Sequence, residues 1–178
     1  MSKEAAKNEN IVLIGFMGCG KSSVGRLIAE KLRYRFVDTD QIIVCEAGVP
    51  ISEIFATHGE DHFRDLETGV LESLRDKREL VIATGGGIVT RARNLPLLRE
   101  LGFVVWLSAD EGVIFERVSR NKRRPLLQTE NPRETIRKLL AERMPLYQGA
   151  AQITIDTGAG PHGEIAEAVI RAARAPSA

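Results

Sequence analysis

The feature that most limits what this sequence can fold into is a glycine-rich segment, residues 15–22, which matches the pattern G-x-x-x-x-G-K-[ST]. An apolar run precedes it, and a segment of helical periodicity follows it from Lys21 to about Leu32. Glycines in such a loop let successive N–H groups point at phosphate oxygens, and the dipole of the next helix favours an anion. Strand, loop and helix in this order predict a binding site for a nucleoside triphosphate, in preference to a glycine-rich turn that matches the pattern by chance.

The loop also predicts individual contacts with the nucleotide and its metal. A lysine placed like Lys21 reaches the β and γ phosphates, and a serine placed like Ser22 holds Mg²⁺. The predicted nucleotide-binding residues of the loop are Gly18, Cys19, Gly20, Lys21, Ser22 and Ser23. The acceptor of the phosphoryl group stays open at this point, because water, proteins, nucleotides and small metabolites all serve as acceptors on such loops.

Apolar runs of strand length alternate with helical segments along the chain. They occupy residues 11–14, 35–37, 80–83, 103–107 and 152–155. Runs that are apolar at successive positions suit a parallel sheet covered by helices on both faces. We therefore predict a three-layer α/β fold with a five-stranded parallel sheet, in one domain over residues 1–178. Residues 1–10 and 172–178 are expected to be disordered on composition alone.

Charge and composition argue against several classes of protein. The formal net charge of +1 gives no reason to expect nucleic acid or an anionic membrane as a partner. No apolar run approaches the roughly 18 residues of a membrane span, and the first ten residues lack the apolar centre of a signal peptide. Cys19 and Cys45 are too few for a disulfide framework, so we expect a reduced, cytoplasmic protein.

Two aspartates, Asp38 and Asp40, close the second predicted strand. Residues two apart on an extended chain face the same way, so both carboxylates are expected to point into the cleft at the carboxyl ends of the strands. Asp38 is then placed to bind magnesium through water, and Asp40 to accept a proton or hydrogen bond from a substrate hydroxyl. The alternative is structural, with Asp40 as a helix N-cap and Asp38 as a turn residue.

A charged pair interrupts an apolar helical stripe between Glu60 and Leu74. Glu67 falls inside the stripe and Arg64 on its edge, and their spacing of three lets them pair. A charge within a buried stripe is costly unless it has a partner, which favours a pair that faces a ligand. An ordinary surface ion pair is the alternative.

A second arginine, Arg143, falls at the centre of an apolar face in a helix that begins after Asn131 and runs to about Met144. The other residues of that face are Ile136, Leu139, Leu140 and Met144. The guanidinium there needs an anion, which could be Asp40, Glu67 or a substrate carboxylate that suits its planar fork. A snorkelling side chain whose charged head reaches solvent is the alternative.

Three adjacent glycines, Gly85, Gly86 and Gly87, end the third predicted strand and would let a ligand touch the backbone. The residue before them is Thr84. Proteins with this kind of phosphate loop often carry an acidic residue at that position, which helps to hold magnesium. Without that acid, the metal would depend more on Ser22 and Asp38.

A basic stretch at about residues 119–131 interrupts the alternation of strands and helices. Basic residues are concentrated in this stretch and just before it: Arg117, Arg120, Lys122, Arg123 and Arg124. As a lid over a triphosphate it would bring positive charge to oxygens that gain negative charge during transfer, and would exclude water. A solvated loop or an RNA-binding patch is the alternative, but no aromatic residues are interleaved with the charges.

In combination these motifs resemble the shikimate kinase family, over residues 11–156. The matching segments are residues 15–22, 36–40, 54–55 with 63–64, 85–87, 124–127 and 142–147. The resemblance implies a nucleoside-monophosphate-kinase-like fold with strand order 2-3-1-4-5 and substrate-binding helices at about residues 40–75. It further implies a monomer that uses ATP with one Mg²⁺ per subunit to phosphorylate the 3-hydroxyl of shikimate, in chorismate and aromatic amino-acid biosynthesis.

The resemblance also implies roles for single residues. Asp40 would contact the acceptor hydroxyl, while Arg64 and Arg143 would bind the shikimate carboxylate. Glu67 would hold Arg64. The glycines at residues 85–87 would line the same pocket.

On the nucleotide side, the resemblance puts Arg124 beside the transferring phosphoryl group and Arg117 against adenine. Residues 157–161 fall where the family contacts the adenine edge. The predicted catalytic residues are Lys21, Asp40 and Arg124. Competing interpretations are a gluconate-type or nucleotide kinase on the same fold, and an ATP-binding module that has lost catalysis.

Overall fold

The computed structural model of the protein describes residues 10–120, 129–158 and 160–175. Five strands lie in this part of the chain: β1 (Ile11–Ile14), β2 (Arg35–Asp38), β3 (Leu80–Ala83), β4 (Phe103–Ser108) and β5 (Ile153–Asp156). Its helices are α1 (Lys21–Leu32), α2 (Thr39–Ala47), α3 (Ile51–Ser73), α4 (Asn94–Leu101), α5 (Glu111–Ser119), α6 (Pro132–Ala150) and α7 (His162–Arg174), with a short 3₁₀ helix at Ile88–Thr90.

The five strands form a single parallel sheet in the order β2-β3-β1-β4-β5. Both the α/β class and the strand order 2-3-1-4-5 are thereby confirmed. The central strand, β1, pairs with β3 on one side and β4 on the other, so that Ile11 aligns with both Val81 and Phe103. The sheet order changes direction at this strand, and the crevice outside its carboxyl end is where open α/β sheets bind ligands.

Hydrophobic cores fill both faces of the sheet. Val12 and Ile14 of β1 belong to the core beneath α3, α4, α5 and α6, whereas Ile11 and Leu13 belong to the core beneath α1 and α7. Successive residues of a strand point to opposite faces, so a strand covered on both sides must be apolar throughout. This explains why the inner strands β1, β3 and β4 appear in the sequence as continuous apolar runs.

Three expectations about the ends of elements are wrong. Asn10, expected in a disordered terminus, is buried, and its side chain accepts a hydrogen bond from the N–H of Leu80. At the other end, α7 continues through Arg174. Helix α6 runs past Met144 to Ala150. It passes through Pro145 on its exposed side, where water can satisfy the carbonyl group that the proline leaves without a donor.

Among the described helices, none has both the length and the apolar composition needed to cross a bilayer.

Candidate active site

A cleft of about 310 Å³ lies at the carboxyl end of β1. The predicted residues that line it are Gly18, Gly20, Lys21, Ser22, Ser23, Asp38, Asp40, Gly86 and Arg117. Cys19 is fully buried beneath the loop. Arg124 and the greater part of the predicted lid, residues 121–128, lie outside the described residues.

Lys21 places its ammonium group inside the turn of the phosphate loop. Its Nζ donates to the carbonyl oxygens of Gly15 at 2.7 Å and Phe16 at 2.8 Å. The positive charge therefore lies within the loop whose N–H groups and following helix already favour an anion. This arrangement suits the β and γ phosphates of a nucleoside triphosphate.

Ser22 and Asp38 meet across the floor of the cleft. The hydroxyl of Ser22 donates to Asp38 Oδ2 at 3.0 Å, which puts a hydroxyl oxygen and a carboxylate side by side. Oxygen ligands of this kind suit Mg²⁺, which keeps several waters and needs few protein groups. No group of three or more His, Cys, Asp or Glu that could hold a metal occurs in the described part of the chain. The hydroxyl and carboxylate pair is thus the part of this cleft that fits magnesium.

The backbone at the two aspartates differs from the prediction. Strand β2 ends at Asp38, and α2 begins at Thr39, so Asp40 lies in the first turn of a helix and not on an extended strand. Asp38 Oδ1 caps this helix by accepting from the N–H of Asp40 at 3.1 Å. Both carboxylates still line the cleft, but the alternation of side chains along a strand is not the reason. Of the two, Asp38 and not Asp40 is the N-cap.

Arg64 and Glu67 form a buried ion pair beside Asp40. Their exposed fractions are 4% and 0%, and Arg64 Nη1 donates to Glu67 Oε2 at 2.7 Å. This excludes an ordinary surface pair. Glu60, at the mouth of the site, also accepts from the Arg64 guanidinium at 2.7 Å. Burial alone would lower the pKa of Arg64, but the two carboxylates outweigh it and raise that pKa, so the guanidinium stays charged.

The second oxygen of Glu67 makes the carboxylate group electrostatically unusual. Oε1 is buried, and no hydrogen-bond partner for it occurs among the described residues. Burial raises the pKa of Glu67 to about 7; the nearby Asp40 carboxylate adds to the rise, while Arg64 and Arg143 oppose it. Near neutral pH this carboxyl group is therefore divided between its protonated and ionised forms.

Two of the three glycines, Gly85 and Gly87, pack directly against these charged groups. A Cβ at Gly85 would collide with Glu67 Oε1 and come within 2.8 Å of Asp40 Oδ1. A Cβ at Gly87 would overlap the guanidinium of Arg64. Only residues without side chains let the backbone approach the carboxylates and the arginine this closely.

Arg143 lies across the site on α6, with its guanidinium carbon 5.7 Å from the centre of the Phe16 ring. Its exposed fraction is 4%, which excludes a snorkelling side chain. The buried face of α6 differs from the predicted one, however. It consists of Ile136, Arg143, Tyr147 and Ala150, whereas Met144 is 48% exposed. The face is set by what the helix packs against, namely β4 and the turn after the glycines, which the periodicity of one segment does not reveal.

Arg117 joins the phosphate loop to the segment after β5. Its guanidinium donates to the carbonyl oxygen of Gly18 at 3.3 Å and to that of Thr157 at 3.2 Å. Sequence reasoning missed another residue that lines this cleft, His162. Its Nε2 lies 3.5 Å from the position that a Cβ of Gly20 would occupy. A lone histidine so far along the chain carried no pattern that linked it to the loop.

Comparisons with known proteins place the chain in a family. The family model for shikimate kinase matches residues 17–174. The chain belongs to the shikimate kinase family, which confirms the resemblance seen in the sequence. Members of this family are ATP-using kinases. Relatives that are shikimate kinases align with almost the whole length of this chain. The shikimate kinase of Thermodesulfovibrio yellowstonii is 50% identical over 92% of this chain and 94% of its own. That of Nitrobacter winogradskyi is 46% identical over 93% of this chain and 77% of its own.

Solved structures of the family are similar as well. The shikimate kinase of Acinetobacter baumannii, in complex with shikimate, superposes on this family member with a TM-score of 0.89 at 43% identity, covering 92% of both chains. The enzyme of Aquifex aeolicus gives 0.79 at 34% identity, over 91% of this chain and 94% of its own. A gluconokinase of Sinorhizobium meliloti, at 21% identity and a TM-score of 0.57, shares the fold alone.

Proposed function

We propose that this family member transfers the γ-phosphoryl group of ATP to the 3-hydroxyl of shikimate, in chorismate and aromatic amino-acid biosynthesis. The observation that carries the proposal is that two buried arginines, Arg64 and Arg143, lie close enough to one buried carboxylate, Glu67, to stabilise its charge, with Asp40 beside them in the cleft. A small acceptor with a carboxylate at one end and hydroxyl groups at the other matches this distribution of charge. Family membership supports the same acceptor.

The two arginines would bind the carboxylate of the acceptor. Arg64 is held by Glu67 and Glu60, so its guanidinium is already oriented before an acceptor arrives. Arg143 has Phe16 beneath it. Charge-assisted hydrogen bonds from planar guanidinium groups to a carboxylate are among the stronger polar contacts, and they fix the orientation of the ring that carries it.

Asp40 would then meet the hydroxyl that is phosphorylated. It would accept the proton of this hydroxyl as the O–P bond forms, or orient the hydroxyl toward the γ-phosphoryl group. Lys21 would stabilise charge on the transferring group. Ser22 and Asp38 would hold Mg²⁺, which neutralises the charge of the β and γ phosphates when bound. Arg124, outside the described residues, keeps its proposed role beside the phosphoryl group.

The nucleoside would lie against Arg117 and His162, which both line the cleft. Arg117 can stack on a purine through its guanidinium plane, and the imidazole of His162 offers a second flat surface or a hydrogen bond. Thr157 and the residues that follow it would form the edge of this pocket. We therefore include His162 among the proposed nucleotide-binding residues.

The proposed activity is that of a monomer in the cytoplasm, as the resemblance to the family implies. A coupled assay for ADP release tests it. Shikimate, gluconate and nucleoside monophosphates would be offered in turn at equal concentration with MgATP. Shikimate is expected to give turnover far above the others, and ³¹P NMR of the product should show a phosphate monoester at its 3-position. Faster turnover of gluconate or a nucleotide would reject the proposal.

A further inference from the structure

One buried tyrosine outside the assigned site connects the glycine turn to α6. Tyr147 is fully buried, and its hydroxyl donates to the carbonyl oxygen of Gly86. Its ring stacks on Trp106 of β4, with ring centres 5.8 Å apart and planes inclined by 27°. Burial raises the pKa of Tyr147, so the hydroxyl keeps its proton and remains a donor. The side chain is thus fixed at the ring by packing, and its hydroxyl donates to Gly86 and lies within hydrogen-bonding reach of the Arg143 side chain.

The carbonyl group that Tyr147 holds belongs to the peptide unit between Gly86 and Gly87. In a planar trans peptide the carbonyl and the following N–H point in opposite directions, so fixing the one fixes the other. The N–H groups of Gly86 and Gly87 have no acceptor among the residues that the structure describes. Glycine peptides rotate more easily than others, because no side chain restricts them. The hydroxyl therefore determines which way the unused N–H of Gly87 faces.

The same tyrosine lies one helical turn from Arg143. Residues four apart on a helix are neighbours on one face, and both side chains are buried there. Gly86 in turn lines the cleft, and a Cβ at its position would lie 3.2 Å from the N of Met17 in the phosphate loop. Arg64 covers Gly87 from the other side. One hydroxyl thus connects the helix that carries Arg143 with the turn that lies under Arg64.

We propose that Tyr147 is a positioning residue of the acceptor site, whose hydroxyl orients the Gly86–Gly87 peptide so that its N–H and the two arginines meet the same anionic group of the acceptor. This inference rests on the proposed function, because it takes the acceptor to be a carboxylate that Arg64 and Arg143 bind. Without the hydroxyl, the part-buried carbonyl group of Gly86 loses its donor and the peptide can turn.

The test is Tyr147→Phe, which keeps the ring and its stacking on Trp106. The Michaelis constants for the acceptor and for ATP would be measured, with calorimetric titration of shikimate as a direct measure of binding. We expect the KM and Kd for shikimate to rise roughly tenfold, as for a buried polar group that loses its partner. The KM for ATP should stay within about twofold, because the phosphate loop keeps its own contacts.

The matched control is Tyr34→Phe, the same change at the only other tyrosine of the chain, which precedes β2 at the opposite edge of the sheet. It should leave both KM values within about twofold. A Tyr147→Phe variant with a lower melting temperature but unchanged shikimate binding, or with both KM values raised equally, would show that the hydroxyl only stabilises the fold. If the wild-type protein does not phosphorylate shikimate in the same assay, the proposed function fails and this inference fails with it.

Discussion

Glu67 shows how the site keeps charged groups out of water. Its carboxylate is fully buried, it is paired through one oxygen with Arg64, and its other oxygen faces Gly85 and Asp40. A buried charge with half of its oxygens unsatisfied is expensive, and the cost appears as a pKa raised to about 7. The pair fixes Arg64 for its ligand at the expense of stability in the unliganded protein.

This cost predicts a specific dependence of stability on pH. Since the folded pKa of Glu67, about 7, lies above its ordinary value of 4.5, the folded state binds more protons between these limits. The contribution of Glu67 is therefore fully present below about pH 4.5 and is lost as pH rises to about 7. Relative to Glu67→Gln, wild-type protein should lose up to roughly 3 kcal/mol of unfolding free energy across this window. Urea denaturation of both proteins at several pH values measures it, and parallel pH curves would contradict the prediction.

At the scale of secondary structure, the junction of β2 and α2 separates two carboxylates that lie two residues apart. Asp38 ends the strand and caps the helix, while Asp40 sits in the first helical turn. An aspartate at an N-cap can satisfy backbone donors with one oxygen and still offer the other, here to Ser22. The two acids therefore face the cleft from different backbone conformations, which suits them for different tasks.

Asparagine substitutions should separate those tasks. Asn is as good an N-cap as Asp, so Asp38→Asn should fold normally but weaken magnesium binding, and raising the metal concentration should restore activity. Asp40→Asn loses a base or hydroxyl acceptor, so kcat should fall about 10²–10⁴-fold at any magnesium concentration. Steady-state kinetics of both variants across a magnesium titration gives the answer. If Asp40→Asn were the variant that magnesium rescues, the two roles would have to be exchanged.

At the scale of the whole molecule, the two substrates would occupy separate parts of the crevice at the carboxyl ends of the strands. The phosphate loop leaves β1 and leads into α1, whereas Arg143 is carried by α6, and Arg64 by α3. Helix α1 packs against one face of the sheet, whereas α3 and α6 pack against the other. Nucleotide binding and acceptor binding should therefore be separable by mutation.

Thermal shift measurements would show this separation. Lys21→Ala should reduce turnover at least about 10²-fold and remove most of the stabilisation by MgADP, while shikimate still raises the melting temperature. Arg143→Leu should remove most of the stabilisation by shikimate, while MgADP still raises the melting temperature. The KM for shikimate should rise roughly 100-fold, because charge-assisted hydrogen bonds are lost.

Arg137→Leu, the same change on an exposed part of α6, is the control and should alter neither response. Loss of both responses in either active-site variant would indicate damage to the fold and not to one site.

The sequence by itself determined the elements and the family of this protein. The phosphate loop, the apolar strands and the motifs from residue 11 to residue 156 can each be read within a short segment, because the spacing of apolar residues along one segment indicates its secondary structure. The apolar runs predicted the α/β class, and the resemblance to the family implied the strand order; the structure confirms both.

Only the tertiary structure decided which side chains converge. It turned α6 so that Arg143 and Tyr147 are buried and Met144 is exposed, and it brought His162 to the phosphate loop. It also made Asp38 and not Asp40 the helix cap. The physical reason is that such positions depend on how helices from distant parts of the chain pack over one edge of the sheet, and no periodicity within a single segment records its neighbours.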